Sequence, residues 1–296
     1  MGVGARAPRR EARDNGFGEM EADMNVIRVG LRCLLAVLAF GAIASTSASA
    51  AEYEVRSLPE IGKCVKVAVG AGAYKGGQCI TVAPAGKGKY AWTPVTPTTP
   101  QKFSGAGTEV TLASTGYPTI KCIVANFTGE WNGPKTASVT VELQACTNPA
   151  GEQCQTVTLN KSEIKSLTLQ GELGFIKNEV KEGKLILLVG LDLKPMPPLT
   201  ELTSYECTGT EGSAHITGSV IAAIKPINKM TSESNLVYAV RKSAQQIPEK
   251  FQGEPKDTLS TTFMKGLESA TAPSTLAVKA ESGSNAVPLE IKAKEN

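Results

Sequence analysis

The sequence predicts an all-β fold: an antiparallel β-sandwich or a barrel-like domain, with a small disulfide-tied module at its N-terminal end. Three observations lead to this prediction. After residue 52 the chain consists of short runs rich in Val, Ile, Thr and Leu, separated by Gly, Pro, Asn and Ser. Several runs alternate apolar and polar residues, as half-buried strands do. Six cysteines lie between residues 64 and 207, which indicates a disulfide framework.

The segment before the predicted domain has the three-part layout of a secretory signal peptide. From Met24 it has a basic start, an apolar run over residues 33–44 and then small residues. Small-x-small sites predict cleavage near Ala50 or Ala51. Residues 1–50 are therefore interpreted as a polar N-terminal extension followed by the signal peptide. Since no later run is long enough to span a bilayer, we expect a mature chain without a membrane span that is secreted or held at the cell surface.

Residues 51–92 are predicted to form the small β module. Cys64 and Cys79 flank a Gly-rich excursion between two short strand-like runs, so their simplest pairing is with each other. Residues 93–100 are rich in Pro and Thr, which favours polyproline II and suggests a boundary. The main all-β domain is predicted to comprise residues 101–296.

The strands of the main domain are read from two kinds of pattern. Residues 109–112, 138–143 and 155–159 alternate, which places their apolar side chains on one face of a sheet. Residues 184–193 and 215–224 are nearly continuous apolar runs, which suits strands buried on both faces. The sequence thus predicts half-buried outer strands around more deeply buried central ones.

Three local features bear on the assignment of segments to strand, helix or turn. Helix is the competing interpretation for residues 215–224, but Gly218 and Pro226 favour a strand. Residues 161–167 (KSEIKSL) are the only segment with helical character, enough for a turn or two. Residues 177–183 (KNEVKEG) predict a hairpin turn before the apolar run that follows.

The six cysteines of the predicted mature chain indicate three disulfides, for which 15 pairings exist. Cys146 and Cys154 bracket a turn-rich loop, so a bridge between them is expected if the flanking strands form a hairpin. Cys122 is then left with Cys207, and this bridge closes a loop of about 85 residues, worth about 4 kcal/mol in the loop-entropy model. Zinc binding is the alternative, but the chain has no CxxC pair and export favours oxidation.

Ten short segments follow one another along the predicted mature chain: CVKVAVGAGAYKGGQC (64–79), KYAWTP (89–94), TIKC (119–122), GEWNGPKT (129–136), LQGELGFI (169–176), VGLDLKP (189–195), YEC (205–207), GSVIAAI (218–224), NKM (228–230) and PEKFQGEPKDTL (248–259). In this order they resemble a family of secreted proteins of high-GC actinobacteria. The resemblance implies an exported all-β protein with these six cysteines and implies nothing about catalysis. Residues 93–100 stand where that family has a Gly/Pro-rich stretch, so the resemblance gives this segment no specific role.

Charge and residue usage exclude several classes of function. The chain has 31 Lys and Arg against 28 Asp and Glu, a formal net charge of +3, and no basic block, which argues against a nucleic-acid partner. His215 is the single histidine, so multi-histidine metal sites are excluded and any serine or cysteine triad would depend on this imidazole. No nucleophile elbow, P-loop or EF-hand loop is present. We expect no catalytic residues, cofactor or metal.

Two sets of side chains remain as candidates for ligand contact. Aromatic rings near predicted loops could stack on sugar rings or could pack over disulfides and sheet edges; these are Tyr90, Trp92, Tyr117 and Trp131. Carboxylates near strands could include a pair that faces one cleft and hydrolyses glycosides; these are Glu130, Glu142, Glu172, Asp192, Glu201 and Glu206.

These observations favour an exported, disulfide-stabilised, non-catalytic protein that works as a binding or structural module at the cell surface or outside the cell. Its expected partner is cell-envelope polysaccharide or another extracellular protein. Two alternatives stay open at this point. One is a secreted polysaccharide hydrolase with paired carboxylates. The other is an inhibitor or partner-binding protein that presents the loop between Cys146 and Cys154.

Overall fold

The computed structural model describes residues 58–159, 162–256 and 258–294. The predicted N-terminal extension, the signal peptide and its cleavage sites at Ala50 and Ala51 lie outside these residues. Within them the chain forms strands, turns and loops without a helix, which confirms the all-β class. The strands are β1 (Glu60–Lys66), β2 (Tyr90–Pro94), β3 (Gln101–Ser114), β4 (Ile120–Trp131), β5 (Thr136–Gln144), β6 (Cys154–Gln155), β7 (Ile164–Lys165), β8 (Leu169–Lys181), β9 (Lys184–Pro195), β10 (Glu201–Cys207), β11 (Ser213–Thr217), β12 (Val220–Lys225), β13 (Thr231–Val237), β14 (Ala239–Val240), β15 (Gln246–Ile247), β16 (Lys250–Phe251), β17 (Glu254–Pro255), β18 (Ser260–Lys265) and β19 (Glu268–Lys292).

Eight antiparallel strands close into a barrel. In spatial order they are β13, β12, β9, β8, β5, β4, β3 and β19, each hydrogen-bonded to the next. Strand β19 also pairs with β13, and this contact completes the circle. Closure satisfies the backbone groups that an open sheet would leave at its edges. The described strands therefore settle the choice between sandwich and barrel in favour of the barrel.

Strand β19 has 25 residues and changes partner along its length. Residues 268–273 pair with β18, residues 274–285 pair with β3, and residues 290–292 pair with β1. Its other edge meets β13 near Gly283 and Ser284. One strand thus belongs to the barrel wall and also connects it to the elements on either side.

A smaller sheet continues from β19 through β18, β11, β10 and β6. The prediction of a single strand over residues 215–224 is therefore wrong. Strand β11 ends at Thr217 in this small sheet, and β12 begins at Val220 in the barrel. Gly218 between them has a φ of 93°, which side chains rarely allow. A Cβ atom at this position would also meet the carbonyl oxygen of Thr258. This glycine lets the chain turn from one sheet into the other.

Other predictions for the main domain have mixed outcomes. Residues 109–112 and 138–143 lie within β3 and β5 as expected. The predicted hairpin connection is confirmed, but its turn is shorter than residues 177–183. Strand β8 continues to Lys181, and β8 and β9 are joined at Glu182 and Gly183, whose φ angles of 52° and 73° suit a type I′ turn. The continuous run of β9 is buried on both faces only from Val189 to Leu193.

For two segments the secondary structure predicted from the sequence is wrong. Of the strand predicted over residues 155–159, only Gln155 belongs to one, in the two-residue β6. The helical turn predicted at residues 161–167 is absent from the described residues, 162–167. Ile164 and Lys165 instead form β7 against β5, and the Ile164 side chain is 1% exposed. Burial of this side chain outweighs the local preference for helix.

The N-terminal module is built around a buried cation. Lys292, 6% exposed, lies with its Nζ 4.6 Å from the centre of the Tyr74 ring and 5.0 Å from that of Trp92. Its Nζ also donates hydrogen bonds to the Tyr74 hydroxyl (3.0 Å) and to the Cys79 carbonyl (3.2 Å), while Trp92 Nε1 donates to Glu60 (2.6 Å). Hydrogen bonds and two aromatic faces compensate for the burial of this charge.

The module does not stand apart from the barrel. Strand β1 pairs with β2 on one edge and with the end of β19 on the other. The described residues from 58 onward belong to one compact unit. The boundary predicted at residues 93–100 therefore lies within this unit.

Aromatic rings fill the barrel interior beside glycines of the neighbouring strand. Phe103 on β3 is the register partner of Gly129 on β4, and Phe127 on β4 is the partner of Gly105 on β3. In each pair the ring occupies the space that a Cβ atom on the glycine would need. The Trp131 ring packs 5.2 Å from the Phe103 ring and is 2% exposed. These reciprocal pairs fill the interior and hold the two strands in register.

Candidate functional site

Three disulfides join the six cysteines, and two of the pairings differ from those predicted. The bridge between Cys64 and Cys79 is confirmed. The predicted pairs Cys122–Cys207 and Cys146–Cys154 are wrong. The observed pairs are Cys122–Cys146 and Cys154–Cys207. Three disulfides are typical of a protein that folds in an oxidising compartment.

The register of the strands explains the two corrected pairings. Cys154 and Cys207 are direct partners in the ladder between β6 and β10. Cys122 and Cys146 continue the register of β4 and β5, and their Cα atoms are 4.0 Å apart. The ends of the loop do meet as predicted, because Cys154 N donates to the Cys146 carbonyl over 2.9 Å. Each thiol nevertheless bonds across to a different strand, so two disulfides stand side by side at the base of the loop.

The loop between these disulfides, residues 147–153, is held by its own side chains. Asn148 Oδ1 accepts hydrogen bonds from the N–H groups of Ala150 and Glu152, each over 3.0 Å. Hydrogen bonds from Thr210 (2.7 Å) and from Asn148 (2.6 Å) to the Glu152 carboxylate lower the pKa of that group. The loop is therefore pre-organised in the folded chain.

The four candidate aromatic residues have different surroundings. Trp92 and Trp131 are buried, and Tyr90 packs against the cluster around Tyr74, so these three stabilise the fold. Tyr117 is half-buried and stacks on Phe263, with ring centroids 3.6 Å apart and planes 11° from parallel. Of the four, Tyr117 is the one that lines a surface cleft.

This Tyr117 cleft has a volume of about 570 Å³ and lies between the barrel and the small sheet. Its apolar wall includes Tyr117, Tyr205, Phe263 and Met264. The Tyr205 side chain is buried, and this burial raises the pKa of its phenol to about 12. Around the rim lie hydrogen-bonding side chains, among them Asn148, Glu206, Thr210, Glu268 and Ser269. The volume is within the range of about 300–1,000 Å³ that is usual for small-molecule sites.

Among the candidate carboxylates, no two form a pair that a substrate can reach. Glu172 and Asp192 are direct register partners on β8 and β9. A hydrogen bond from Lys194 lowers the pKa of Glu172, whereas burial raises the pKa of Asp192. Divergent pKa values of this kind are typical of an acid and base pair. Asp192 is only 2% exposed, however, so no substrate reaches it in this structure. Of the others, Glu206 lies at the rim of the Tyr117 cleft and Glu142 pairs with Lys165.

His215 lies in a hydrogen-bonded relay that the sequence did not predict. Its Nδ1 is 3.0 Å from Glu201 Oε2, and its Nε2 is 2.9 Å from Ser213 Oγ. Carboxylate, imidazole and hydroxyl in this order are the parts of a serine triad. Ser213 and His215 are two residues apart on β11 and therefore share one face of the small sheet. Strand β11 is paired on both edges from Ala214 to Thr217, so its N–H groups serve the ladders rather than an oxyanion hole.

A second cavity, the barrel chamber, is lined by strands of the barrel and by residues of β10 and β11 of the small sheet. It has a volume of about 80 Å³, and all but four of its lining side chains are hydrocarbon, among them Phe127, Leu191, Leu193 and Ile216. The other four are Ser166, Thr203, Tyr238 and Glu281. Buried carboxylates are rare in such walls, because removing a charge from water is costly.

A β-bulge brings Glu281 into this wall. Between Lys279 and Ser282 strand β19 advances three residues while β3 advances two. Val278 lines the chamber, so regular alternation would direct Glu281, three residues further along the strand, outward. The extra residue reverses the alternation and turns Glu281 inward. The absence of a side chain at Gly107 leaves the space that Val278 and Glu281 occupy.

The Glu281 side chain is half-buried, and one oxygen of its carboxyl is buried in the chamber wall. Its Oε2 atom is buried and has no hydrogen-bond partner in the part of the chain that the structure describes. Burial raises the pKa of Glu281 to about 8. At neutral pH this side chain is therefore mostly a neutral acid that can donate one hydrogen bond. The alternation of apolar and polar residues could not reveal the inward position of Glu281, since the bulge depends on the pairing with β3.

Across residues 58–159, 162–256 and 258–294, no three His, Cys, Asp or Glu side chains are grouped as metal ligands. In the same residues there is no helix long and apolar enough to cross a membrane.

Comparisons of the chain with family models, with curated proteins and with solved structures give no match.

Proposed function

We propose that this chain is an exported, non-catalytic binding protein that recognises polysaccharide of the cell envelope through the Tyr117 cleft. The observation that carries the proposal is the cleft itself, in which stacked rings of Tyr117 and Phe263 stand beside a rim of carboxylates and hydroxyls. A sugar ring has an apolar face and polar edges. Aromatic side chains match the face, and the carboxylate and hydroxyl oxygens of Glu206, Glu268 and Ser269 match the edges.

Disulfides support this role by keeping the cleft rigid. Cys207 lies in the cleft wall, and its bridge to Cys154 holds one end of the loop at residues 147–153. Asn148 of this loop also lines the cleft. A site whose walls are fixed before the ligand arrives loses less conformational entropy on binding. Export is supported by the predicted signal peptide and by the three disulfides.

Replacing Tyr117 with alanine is expected to weaken polysaccharide binding about tenfold, because a stacked ring contributes about 0.5–1.5 kcal/mol beyond its buried area. The measurement is co-sedimentation of the oxidised mature chain with isolated cell envelope and with insoluble polysaccharides. Tyr90→Ala is the matched control, since Tyr90 is also half-buried but packs in the N-terminal module. We expect it to bind as the unmodified chain does. Equal binding by the Tyr117→Ala and unmodified chains, or no binding by either, would contradict the proposal.

The non-catalytic part of the proposal concerns the relay of Glu201, His215 and Ser213. We expect a fluorophosphonate probe to leave Ser213 unlabelled, because the N–H groups from Ala214 to Thr217 are used in two ladders and do not stabilise an oxyanion. The measurement is mass spectrometry of the chain after incubation with the probe at pH 8. Labelling of Ser213 that His215→Gln abolishes would show that the relay is catalytic and would replace this part of the proposal.

A further inference from the structure

We propose that the barrel chamber is a second ligand site, which takes a small neutral organic molecule with one hydrogen-bond acceptor and binds that acceptor through Glu281. This site goes beyond the proposed polysaccharide function and does not depend on it. The Tyr117 cleft and the chamber share no lining residue.

The wall of the chamber determines the apolar character of the ligand. Its lining is almost entirely hydrocarbon, so a ligand that enters must leave little of its own polar surface unsatisfied. The size of the chamber, about 80 Å³, limits the ligand further. An apolar cavity of roughly 150 Å³ accommodates benzene. The ligand is therefore smaller than benzene, of the size of a short ketone or alcohol.

The polar groups of the wall determine how many hydrogen bonds the ligand makes. The Ser166 hydroxyl accepts a bond from Val141 N (2.8 Å), and the Thr203 hydroxyl donates to the Lys165 carbonyl (2.6 Å). Glu281 Oε2 is the buried oxygen without a partner. A single neutral acid suits one acceptor, such as a carbonyl or an ether oxygen. An ammonium ion fits poorly, because its three donors would face one carboxyl in an apolar wall.

The local backbone indicates that the position of Glu281 is specific. The bulge in β19 between Lys279 and Ser282 shifts the register with β3 and places a carboxyl on the interior face. Gly107 on the facing strand leaves the space into which the base of this side chain fits. Bulges that redirect one side chain are common next to binding sites. Water is a weaker occupant, since a buried water needs two to four polar partners.

The test compares two probes of similar shape, butan-2-one and 2-methylbut-1-ene, by ligand-observed NMR titration of the oxidised chain at pH 6.5. They differ in that the carbonyl oxygen of the first is a CH₂ group in the second. We expect the ketone to bind about tenfold more tightly. In Glu281→Leu this preference should disappear, whereas Glu281→Gln should retain most of it through its amide N–H. Glu109→Gln on β3 is the matched control, since Glu109 is exposed and pairs with Lys279 outside the chamber.

The pH dependence of ketone binding gives a second readout. Tyr238 is the other ionisable side chain of the chamber wall, and it is retained in every variant. Because the acid donates only when protonated, ketone affinity should fall as pH rises through about 8 in the unmodified chain and stay level in Glu281→Gln. Equal affinity for the two probes in the unmodified chain would overturn the proposal. So would the absence of any binding, which would indicate a closed or water-filled chamber. Tyr117→Ala should leave these results unchanged, which separates them from the cleft.

Discussion

Replacing Cys154 and Cys207 together with alanine is expected to lower the free energy of unfolding by about 4 kcal/mol. The bridge joins residues 53 apart in sequence, and the loop-entropy model gives about this value for a loop of that length. Cys154 is fully buried, so alanine is preferred to serine, which would bury a hydroxyl group. Equilibrium unfolding in urea, followed by circular dichroism at 25 °C, measures the change.

The matched control is the pair Cys64→Ala and Cys79→Ala, which removes a bridge between residues 15 apart. We expect a loss of about 3 kcal/mol there. The two double variants should also differ in function. Only the loss of the bridge at Cys154 should weaken binding at the Tyr117 cleft, because Cys207 lines it. A loss below about 1 kcal/mol for the Cys154 and Cys207 variant would contradict a structural role for this bridge.

Replacing Trp131 with alanine is expected to lower the free energy of unfolding by about 3–5 kcal/mol, the usual range for removing a large buried ring. Trp131 is 2% exposed, packs on Phe103 and donates a hydrogen bond from Nε1 to Asn285 over 3.2 Å. Alanine would leave a cavity in the barrel and an amide oxygen without its donor. Urea unfolding with the fluorescence of Trp92 as signal measures the loss.

Trp131→Phe retains most of the packing, because it keeps an aromatic ring while it removes the donor and the smaller ring of the indole. We expect it to cost about 1–2 kcal/mol, which is less than the alanine effect. Binding at the cleft should persist in Trp131→Phe under native conditions, since Trp131 does not line the cleft. If Trp131→Ala remained as stable as the unmodified chain, the described packing of the barrel interior would be wrong.

Much of the fold could be predicted because alternation is a local signal. Residues 109–112 and 138–143 lie within barrel strands since their apolar side chains had to face one side. The division at Gly218 was missed because a glycine within an apolar run is compatible with one strand and does not indicate that the two halves belong to different sheets. Continuous apolar character reports burial and does not report which neighbours provide it.

The disulfide pairing shows a limit of a different kind. The close approach of Cys146 and Cys154 was correctly expected from the loop that they bracket. Which thiol each of them meets depends on the register with β4 and β10, and register between strands distant in sequence is a tertiary property. The same limit applies to the candidate sites. Tyr117 was among the residues considered, but Phe263 stacks on it only because β18 and the loop after β3 meet in space. Glu281 was missed because its bulge arises from pairing.

The length of β19 has a kinetic consequence. Its pairing with β1 joins Lys292 to Glu60, and its pairing with β3 closes the wall of the barrel. Contacts between residues so far apart in sequence form slowly, because a long stretch of chain must be ordered first. Until residues 268–292 are in place, β3 and β13 each present an unpaired edge that can pair with another chain. The chain is therefore most prone to aggregate before β19 has docked. Chaperones that shield strand edges would act during this period.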